Sequence, residues 1–178
     1  MNLSMRSRTF YKLYYMALFS ILGTLMFLSD ILMEILPNIH LVGMLTILYT
    51  VVYRAKALIP IYVYVFLNGL FYGFALWWVP YLYIWTVLWA MTMLIPKNIP
   101  PKIAAVVYPL LCAIHGISFG LLYAPFQALA FSLDFKGMLA WIAAGLTFDI
   151  THCISNFVSG LLVLPLSLVL KKAEKMVH

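Results

Sequence analysis

Long apolar runs, broken only by short clusters of charge and proline, constrain this 178-residue chain more than any other feature. Hydrophobic residues make up 66% of the sequence and charged residues only 9%. Soluble domains are about half apolar and about a quarter charged, and disordered chains have few apolar residues and many charges, so both classes are excluded. Because about 20 apolar residues span a bilayer core, the chain accommodates roughly six crossings and no soluble catalytic domain.

The pattern therefore predicts an all-α integral membrane protein with a single membrane domain over residues 1–178. Charges and prolines divide the chain into six predicted transmembrane helices, at 10–33, 40–53, 57–77, 81–95, 103–123 and 138–170. The basic N-terminal region resembles a signal peptide, but the apolar run that follows continues past Phe27. Since that run is too long for a signal-peptide core, we predict a retained first helix.

The basic residues predict how these helices are oriented. With the N-terminus in the cytoplasm, ten of the eleven lysines and arginines lie on the cytoplasmic side and only Lys136 lies outside. The positive-inside rule expects this imbalance, so both termini are predicted inside and Asp30, Glu34 and Asp134 at the outer surface. The net charge of +6 does not indicate nucleic-acid binding, because the basic residues form short clusters rather than one patch.

Polar residues within the apolar segments mark a second feature. Placing an ionisable side chain inside a bilayer costs on the order of 3 kcal/mol of insertion free energy, so each one is expected to have a structural or functional role. Asp149, His152 and Asn156 are spaced i, i+3 and i+7, which places them on one face of the last predicted helix. At a rise of about 1.5 Å per residue, they and His115 lie in the outer half of the hydrocarbon core. The sequence thus predicts a polar cup that opens outward rather than a channel.

Aromatic residues gather at the same level. Tyr81, Trp85 and Trp89 recur every four residues on one side of the fourth predicted helix, after Trp78. An interfacial aromatic belt is the ordinary explanation for a residue such as Trp78, but Trp89 is too deep for an outer belt. Its alignment with Trp85 favours a packed wall, or a wall on which a flat heterocycle stacks.

A metal site, an enzyme active site and a purely structural role are the alternatives for these residues. Asp149 and His152, with His115, resemble part of a metal site, but a metal usually needs three or four ligands at defined spacing, so we predict no metal. Serine, cysteine and histidine side chains occur without a nucleophile motif, so no enzyme activity is expected. In the simplest alternative, Asp149 and His152 pair with each other or with His115 only to hold helices together.

A band of small residues marks the first helix. It consists of Ala17, Ser20, Gly23 and Thr24. Such bands let another helix approach closely, so this face is predicted either to pack inside the bundle or to dock a partner. No Walker A glycine loop occurs, so the chain is expected to bind no cofactor and to leave any use of ATP to partner subunits.

Three stretches of the chain resemble the substrate-binding S components of energy-coupling factor (ECF) vitamin transporters. They are Glu34-Ile-Leu-Pro-Asn-Ile-His-Leu-Val-Gly43, Trp77-Trp-Val-Pro-Tyr-Leu-Tyr-Ile-Trp85 and Phe148-Asp-Ile-Thr-His-Cys-Ile-Ser-Asn156. The likeness covers essentially the whole chain. It implies a multi-pass protein of a prokaryotic plasma membrane that captures a vitamin in an outward-facing pocket. It also implies delivery through a transmembrane coupling protein and two ATPase subunits.

The resemblance also implies roles for particular residues. The pocket candidates are Trp85, Trp89, His115, Asp149, His152 and Asn156, with Tyr81 and Trp78 in the aromatic wall and Asn38 and His40 from the first outer loop. The small-residue band of the first helix is similar to the family's docking patch for the coupling protein. Asn2 stands where metal-transporting members carry a histidine, which counts against nickel or cobalt.

The sequence as a whole predicts a transport subunit without enzymatic activity, which binds a vitamin or a related heterocyclic micronutrient. Two rivals stay open. One is a stand-alone ion- or proton-coupled carrier that uses Asp149 and His152 as a proton relay. The other is a membrane scaffold protein, in which the polar residues only hold helices together.

Overall fold

The computed structural model describes residues 3–36 and 38–177, and every regular element within them is helical, which confirms the predicted all-α class. The helices are α1 (Leu3–Met33), α2 (Val42–Tyr53), α3 (Leu58–Tyr72), α4 (Tyr81–Met93), α5 (Pro101–Ile117), α6 (Phe119–Ala130), α7 (Phe135–Gly160) and α8 (Val163–Val177). Short 3-10 turns lie at Arg54–Ala57 and Leu76–Trp78.

Within the described residues, four helical stretches are long and apolar enough to cross a membrane. They are Thr9–Met33, Val42–Tyr72, Pro101–Ala130 and Phe135–Gly160. Large apolar side chains also cover the outside of the bundle; Leu129, for example, is 82% exposed and Ile154 is 61% exposed. Since a soluble monomer rarely exposes so much apolar surface, these helices indicate a membrane protein.

The second of these stretches reverses direction at its middle. His40, just before α2, and Tyr72, at the end of α3, line the same cavity. Val51 and Arg54, at the other end of α2, line a different groove. α2 and α3 therefore run in opposite directions. Arg54 makes the turn with a backbone φ of 55°, in the left-handed region that non-glycine residues seldom adopt.

α2 is the central helix of the bundle. All ten residues from 42 to 51 are buried, and the helix packs against α1, α4, α5, α7 and α8. The hydroxyl of Tyr49 donates a hydrogen bond to the carbonyl of Leu22 on α1 at 3.3 Å. A helix that is apolar on all sides needs such surroundings, because it has no polar face to turn toward water.

α5 and α6 lie antiparallel to α7. Near one end, Gly160 meets Pro109, and seven residues further along α5, Gly116 meets the backbone of His152. A Cβ atom at Gly116 would lie 2.7 Å from the His152 carbonyl oxygen. Glycine at this position therefore lets α5 and α7 approach closely, as small residues do in membrane helix pairs. Ser118 separates α5 from α6.

The predicted segment 138–170 corresponds to two helices in the structure. α7 ends at Gly160, and α8 begins at Val163 after a short turn. α7 also begins earlier than predicted, because the carboxylate of Asp134 accepts the backbone N–H of Gly137 at 2.7 Å and caps the helix.

Charged residues separate onto the two ends of the bundle. We call the end that holds Asp30 and Glu34, beside the start of α2, the acidic end. The opposite end carries Arg54, Lys97 and Lys171, and we call it the basic end. The candidate binding site lies at the acidic end.

Candidate ligand-binding site

The structure brings together several of the residues that the sequence placed in one pocket. Trp85 on α4 lies with its ring centre 5.6 Å from that of His115 on α5 and 6.0 Å from that of His40. His152 on α7 lies 5.1 Å from His40. The indole ring on α4 therefore contacts both α5 and the loop before α2, and α7 reaches the same place through His40.

Phe119, which the sequence analysis did not single out, fills the space between these rings. Its ring centre lies 5.1 Å from His152 and 5.9 Å from Trp85. As a result, Trp85 is 2% exposed and His115 is fully buried. We call His40, Trp85, His115, Phe119, His152 and Asn156 the Trp85 cluster; its centre, at Trp85 and His115, is closed, whereas some of its outer members also line cavities.

The Trp85 cluster contains buried polar atoms that no described residue satisfies. They are Nδ1 of His40, His115 and His152, Nε1 of Trp85 and Oδ1 of Asn156. One ring nitrogen is engaged, since Nε2 of His115 lies 3.2 Å from the carbonyl oxygen of Ile84. The Asn156 amide packs against the start of α2, where a Cβ at Gly43 would lie 3.3 Å from it. A buried polar group without a partner costs about 1–3 kcal/mol, so five in one place are typical of a site that serves a ligand or bound water.

Asp149 has a different role in the structure from its neighbour His152. Its Oδ1 accepts the backbone N–H of Gly120 at 3.0 Å, in the first turn of α6. A carboxylate at a helix N-terminus satisfies a free N–H group and interacts favourably with the helix dipole. Asp149 therefore caps α6, a function that accounts for its position without a ligand.

A cavity of about 460 Å³ lies at the acidic end, next to the Trp85 cluster. His40 belongs to both, so its ring lies at the boundary between the cavity and the cluster. Asn38, from the same loop, and Asn68 on α3 also line it. The volume is within the usual range for small-molecule sites, about 300–1,000 Å³. We call this space the acidic cavity.

Two carboxylates give the acidic cavity its charge. Asp30 and Glu34 lie one helical turn apart at the end of α1, and both line the cavity. The hydroxyl of Tyr64 donates to Asp30 at 2.9 Å, and that of Tyr72 donates to Glu34 at 3.3 Å. The described lining contains no lysine or arginine. The cavity therefore favours a positively charged ligand.

His40 does not offset these negative charges. It lies before α2, outside the four stretches that are able to cross a membrane. Burial, reinforced by the neighbouring histidines, lowers the pKa of His40 to about 3. Its ring is therefore neutral near pH 7 and offers the ligand a hydrogen bond rather than a charge.

Aromatic rings form one wall of the acidic cavity. Tyr72, Trp77 and Tyr81 all line it. The ring centres of Trp77 and Tyr81 are 5.6 Å apart and those of Tyr72 and Trp77 are 6.3 Å apart, both edge to face. Tyr81 continues the contact to Trp85 at 6.0 Å, so the wall reaches from the cavity to the cluster.

The loop before α2 separates the acidic cavity from a smaller one of about 260 Å³. Asn38 lines both cavities and has a backbone φ of 63°. Its carbonyl accepts the hydroxyl of Ser155 on α7 at 3.1 Å, which ties the loop to the bundle. Phe119, Trp141 and Asp149 line the smaller cavity.

Two predicted aromatic contacts lie outside both cavities. The indole N–H of Trp89 donates to the carbonyl of Arg54 at 3.2 Å, toward the basic end. That of Trp78 donates to the carbonyl of Val65 at 2.7 Å and holds the second 3-10 turn against α3. Trp77, the neighbour of Trp78, lines the acidic cavity instead.

The small-residue band of α1 divides between two surfaces. Gly23 is buried against α3, where a Cβ would lie 2.6 Å from Val63. Ala17, Ser20 and Thr24 are exposed, and the two hydroxyls bond to backbone carbonyls one turn earlier in α1. One member of the band thus packs within the bundle, and the other three form a surface that the described chain leaves uncovered.

Within the described residues, no group of three or more histidine, cysteine, aspartate or glutamate side chains is placed to hold a metal ion. The cavity lining instead provides carboxylates, aromatic rings and neutral hydrogen-bonding groups, a combination suited to an organic molecule. Sequence reasoning missed Asp30, Glu34 and Trp77 as lining residues. Two spacings in the sequence point to these residues. The two acids are four residues apart at a helix end, and Trp77 and Tyr81 are also four residues apart.

No family model matches the chain, and neither a curated protein nor a solved structure matches it. Its function is therefore inferred from its own residues and from the cavity that they form.

Proposed function

We propose that the chain is the substrate-binding S component of an ECF-type importer and that it captures a vitamin-like heterocycle in the acidic cavity. The observation that carries the proposal is the position of this cavity, with its aromatic wall, next to the unsatisfied polar atoms of the Trp85 cluster. Mostly apolar walls with a few placed polar groups are typical of small-molecule sites. The chain itself would have no enzymatic activity and no cofactor.

The charge of the cavity narrows the ligand to a class. Asp30 and Glu34 supply two carboxylates, and the rings of Trp77 and Tyr81 attract cations through their electron-rich faces. A flat heterocycle with a positive charge satisfies both. The ligand would stack on the aromatic wall and place its charge near the end of α1.

The proposal includes six membrane crossings in the plasma membrane of a prokaryote, with both termini in the cytoplasm. The separation of charge supports this orientation. Arg54, Lys97 and Lys171 lie at the basic end, which would face the cytoplasm according to the positive-inside rule. The acidic cavity would then open outward.

Transport would require partners, because the sequence contains no ATP-binding loop. A transmembrane coupling protein and two ATPase subunits would supply the energy. The exposed face of α1 supports a docking surface for the coupling protein, since Ser20, Thr24 and Leu28 line a shallow groove along it. Small residues at such a face let a partner helix approach closely.

Native mass spectrometry of the freshly purified full chain tests ligand capture. A bound heterocycle is expected on the wild type and is expected to be lost in Trp77→Leu. A chain that never carries a small molecule would instead support the scaffold alternative. Liposome uptake separates the remaining rival: uptake of the identified ligand without coupling protein and ATPases would support a stand-alone carrier.

Two probes of almost the same shape test the charge of the ligand. N-methylnicotinamide, methylated here on the ring nitrogen, is a pyridinium cation, and nicotinamide is its neutral counterpart. We expect the cation to bind the purified chain at least tenfold more tightly in tryptophan-quenching titrations. Equal affinities would contradict the cationic class while leaving ligand capture itself in place.

A further inference from the structure

A second groove, of about 620 Å³, lies at the basic end and has no part in the proposed function. Val51 and Val52, at the end of α2, form one side of it. Lys97, in the connection between α4 and α5, and the later half of α8 form the others. We call it the basic groove.

The lining of the basic groove is strongly positive. Its basic residues are Arg54, Lys97, Lys171, Lys172 and Lys175. Among the described lining residues, these five positive charges face one carboxylate, that of Glu174. This carboxylate accepts a hydrogen bond from the hydroxyl of Tyr15 on α1 at 3.0 Å, which draws it toward α1. The groove is therefore a concave surface that attracts anions.

Arg54 fixes one of these charges in place. Its guanidinium donates to the backbone carbonyls of Met93 at 2.7 Å and Ile95 at 3.2 Å. Its Nε is buried and has no hydrogen-bond partner in the described structure. Carbonyls orient a guanidinium without cancelling its charge, so Arg54 holds both a fixed positive charge and an unsatisfied donor beside the groove.

The groove also has an apolar side. Val51, Val52 and Leu168 contribute to its lining, and Leu168 is 57% exposed. α8 changes there from the apolar residues 163–170 to a basic segment that begins at Lys171. Such a change marks the level at which the hydrocarbon core meets the lipid headgroups. The groove therefore lies where a lipid presents a phosphate and its glycerol together.

We infer that the basic groove binds the phosphate-bearing headgroup of an anionic phospholipid. Basic pockets between helices at a membrane surface are suited to such headgroups, and each nearby lysine or arginine adds to the attraction. The lysines would contact the phosphate, and the valines with Leu168 would contact the glycerol and the first acyl carbons. This inference does not depend on which solute the acidic cavity takes.

Native mass spectrometry of the delipidated full chain, mixed with phosphatidylglycerol or phosphatidylcholine of the same acyl chains, tests the inference. We expect phosphatidylglycerol adducts to exceed phosphatidylcholine adducts at least threefold. The triple variant Lys171→Gln/Lys172→Gln/Lys175→Gln is expected to reduce phosphatidylglycerol occupancy at least fivefold. Equal occupancy by the two lipids would overturn the inference.

A charge-matched control distinguishes the groove from general attraction to a negative lipid. Lys12→Gln/Lys102→Gln/Lys136→Gln removes three charges outside the groove and should change occupancy less than twofold. The same loss in both triple variants would refute a specific site. If the α8 variant does not elute as folded protein, Lys97→Gln tests the groove from another element, with at least a twofold reduction expected.

A second arm distinguishes a lipid headgroup from a soluble phosphate. Inorganic phosphate at the same concentration as the lipid should leave the phosphatidylglycerol adducts in place. Displacement by inorganic phosphate would assign the groove to soluble anions and overturn the lipid headgroup as its occupant.

Discussion

The Trp85 cluster and the acidic cavity share His40 and lie next to each other, yet the centre of the cluster is closed and the cavity is open. In the cluster, Trp85 is 2% exposed and Phe119 fills the remaining space. In the cavity, aromatic rings and carboxylates border about 460 Å³ of free volume. The difference suggests that polar and aromatic residues at the same end of a bundle serve two purposes. Some hold helices together, and others remain accessible to a ligand.

The largest expected effect is on the closed side of this comparison. Trp85→Ala should lower the free energy of unfolding by about 3–5 kcal/mol, because it empties a fully packed position. Trp77→Ala, on the partly exposed wall of the cavity, should cost only about 1 kcal/mol. Denaturation of the purified variants in detergent measures both. Similar losses would mean that the cavity wall is as tightly packed as the cluster.

The next effect concerns the glycines of the α5–α7 contact. Gly116→Ala should destabilise the protein by about 1–3 kcal/mol, because the added methyl group would meet the backbone of His152. Gly145→Ala, in the same helix pair, has nothing within 4 Å of the added atom. It should be neutral, or stabilising by up to about 1 kcal/mol through helix propensity. A lower melting temperature for Gly116→Ala, with an unchanged or higher one for Gly145→Ala, would support the close approach at Gly116. A stabilised Gly116→Ala would contradict it.

On the open side, Glu34→Gln should act on binding rather than on folding. Loss of this exposed carboxylate should weaken N-methylnicotinamide binding at least tenfold, about 1.4 kcal/mol, with little change in nicotinamide binding. Asp134→Asn is the matched control, since it removes a carboxylate outside the cavity and asparagine retains the cap of α7. An equal loss in the control would attribute the effect to overall charge.

The smallest expected effect is a pH dependence at the shared residue. The pKa of His40 is about 3 in the folded protein, against 6.5 for an unperturbed histidine. Between these values the unfolded chain takes up a proton that the folded chain does not, so His40 reduces stability as the pH falls below about 6.5. One group contributes at most about 1.4 kcal/mol per pH unit.

The measurement compares denaturation midpoints of the wild type and His40→Gln from pH 7.5 to pH 6.0, a range over which His40 contributes about 0.8 kcal/mol. The variant should lose less stability than the wild type over this range, and the two should behave alike above pH 7. Parallel curves throughout would indicate that His40 is accessible to protons in the folded protein.

The sequence predicted the helical class and the shared face of His152 and Asn156, because both depend on short-range patterns. Apolar runs determine which segments are helical, and the spacing of His152 and Asn156 places them on one face. The break at Ser118 was not predicted, since no glycine or proline occupies that position. In the structure Asp149 stabilises the break by capping α6, a contact between residues 29 positions apart.

For a similar reason, the sequence could not predict which polar residues line an open cavity. Whether a residue lines a cavity depends on what the other helices place beside it. Phe119 closes the cluster from a helix that the sequence pattern did not distinguish from α5. Asp30 and Glu34 were predicted as surface charges at a helix end, and they become cavity walls because Tyr72 and Trp77 lie opposite them.

The shortness of α2 has a consequence for the electric field within the protein. Its 12 residues rise about 18 Å, whereas the hydrocarbon core of a bilayer is about 30 Å thick. The acidic cavity and the basic groove lie at its two ends. With water in the acidic cavity and a polar headgroup in the basic groove, a membrane voltage would fall mainly along the helix between them, and the field there would be steeper than in the surrounding lipid. A cation held between Asp30 and Glu34 would thus lie at the edge of a focused field.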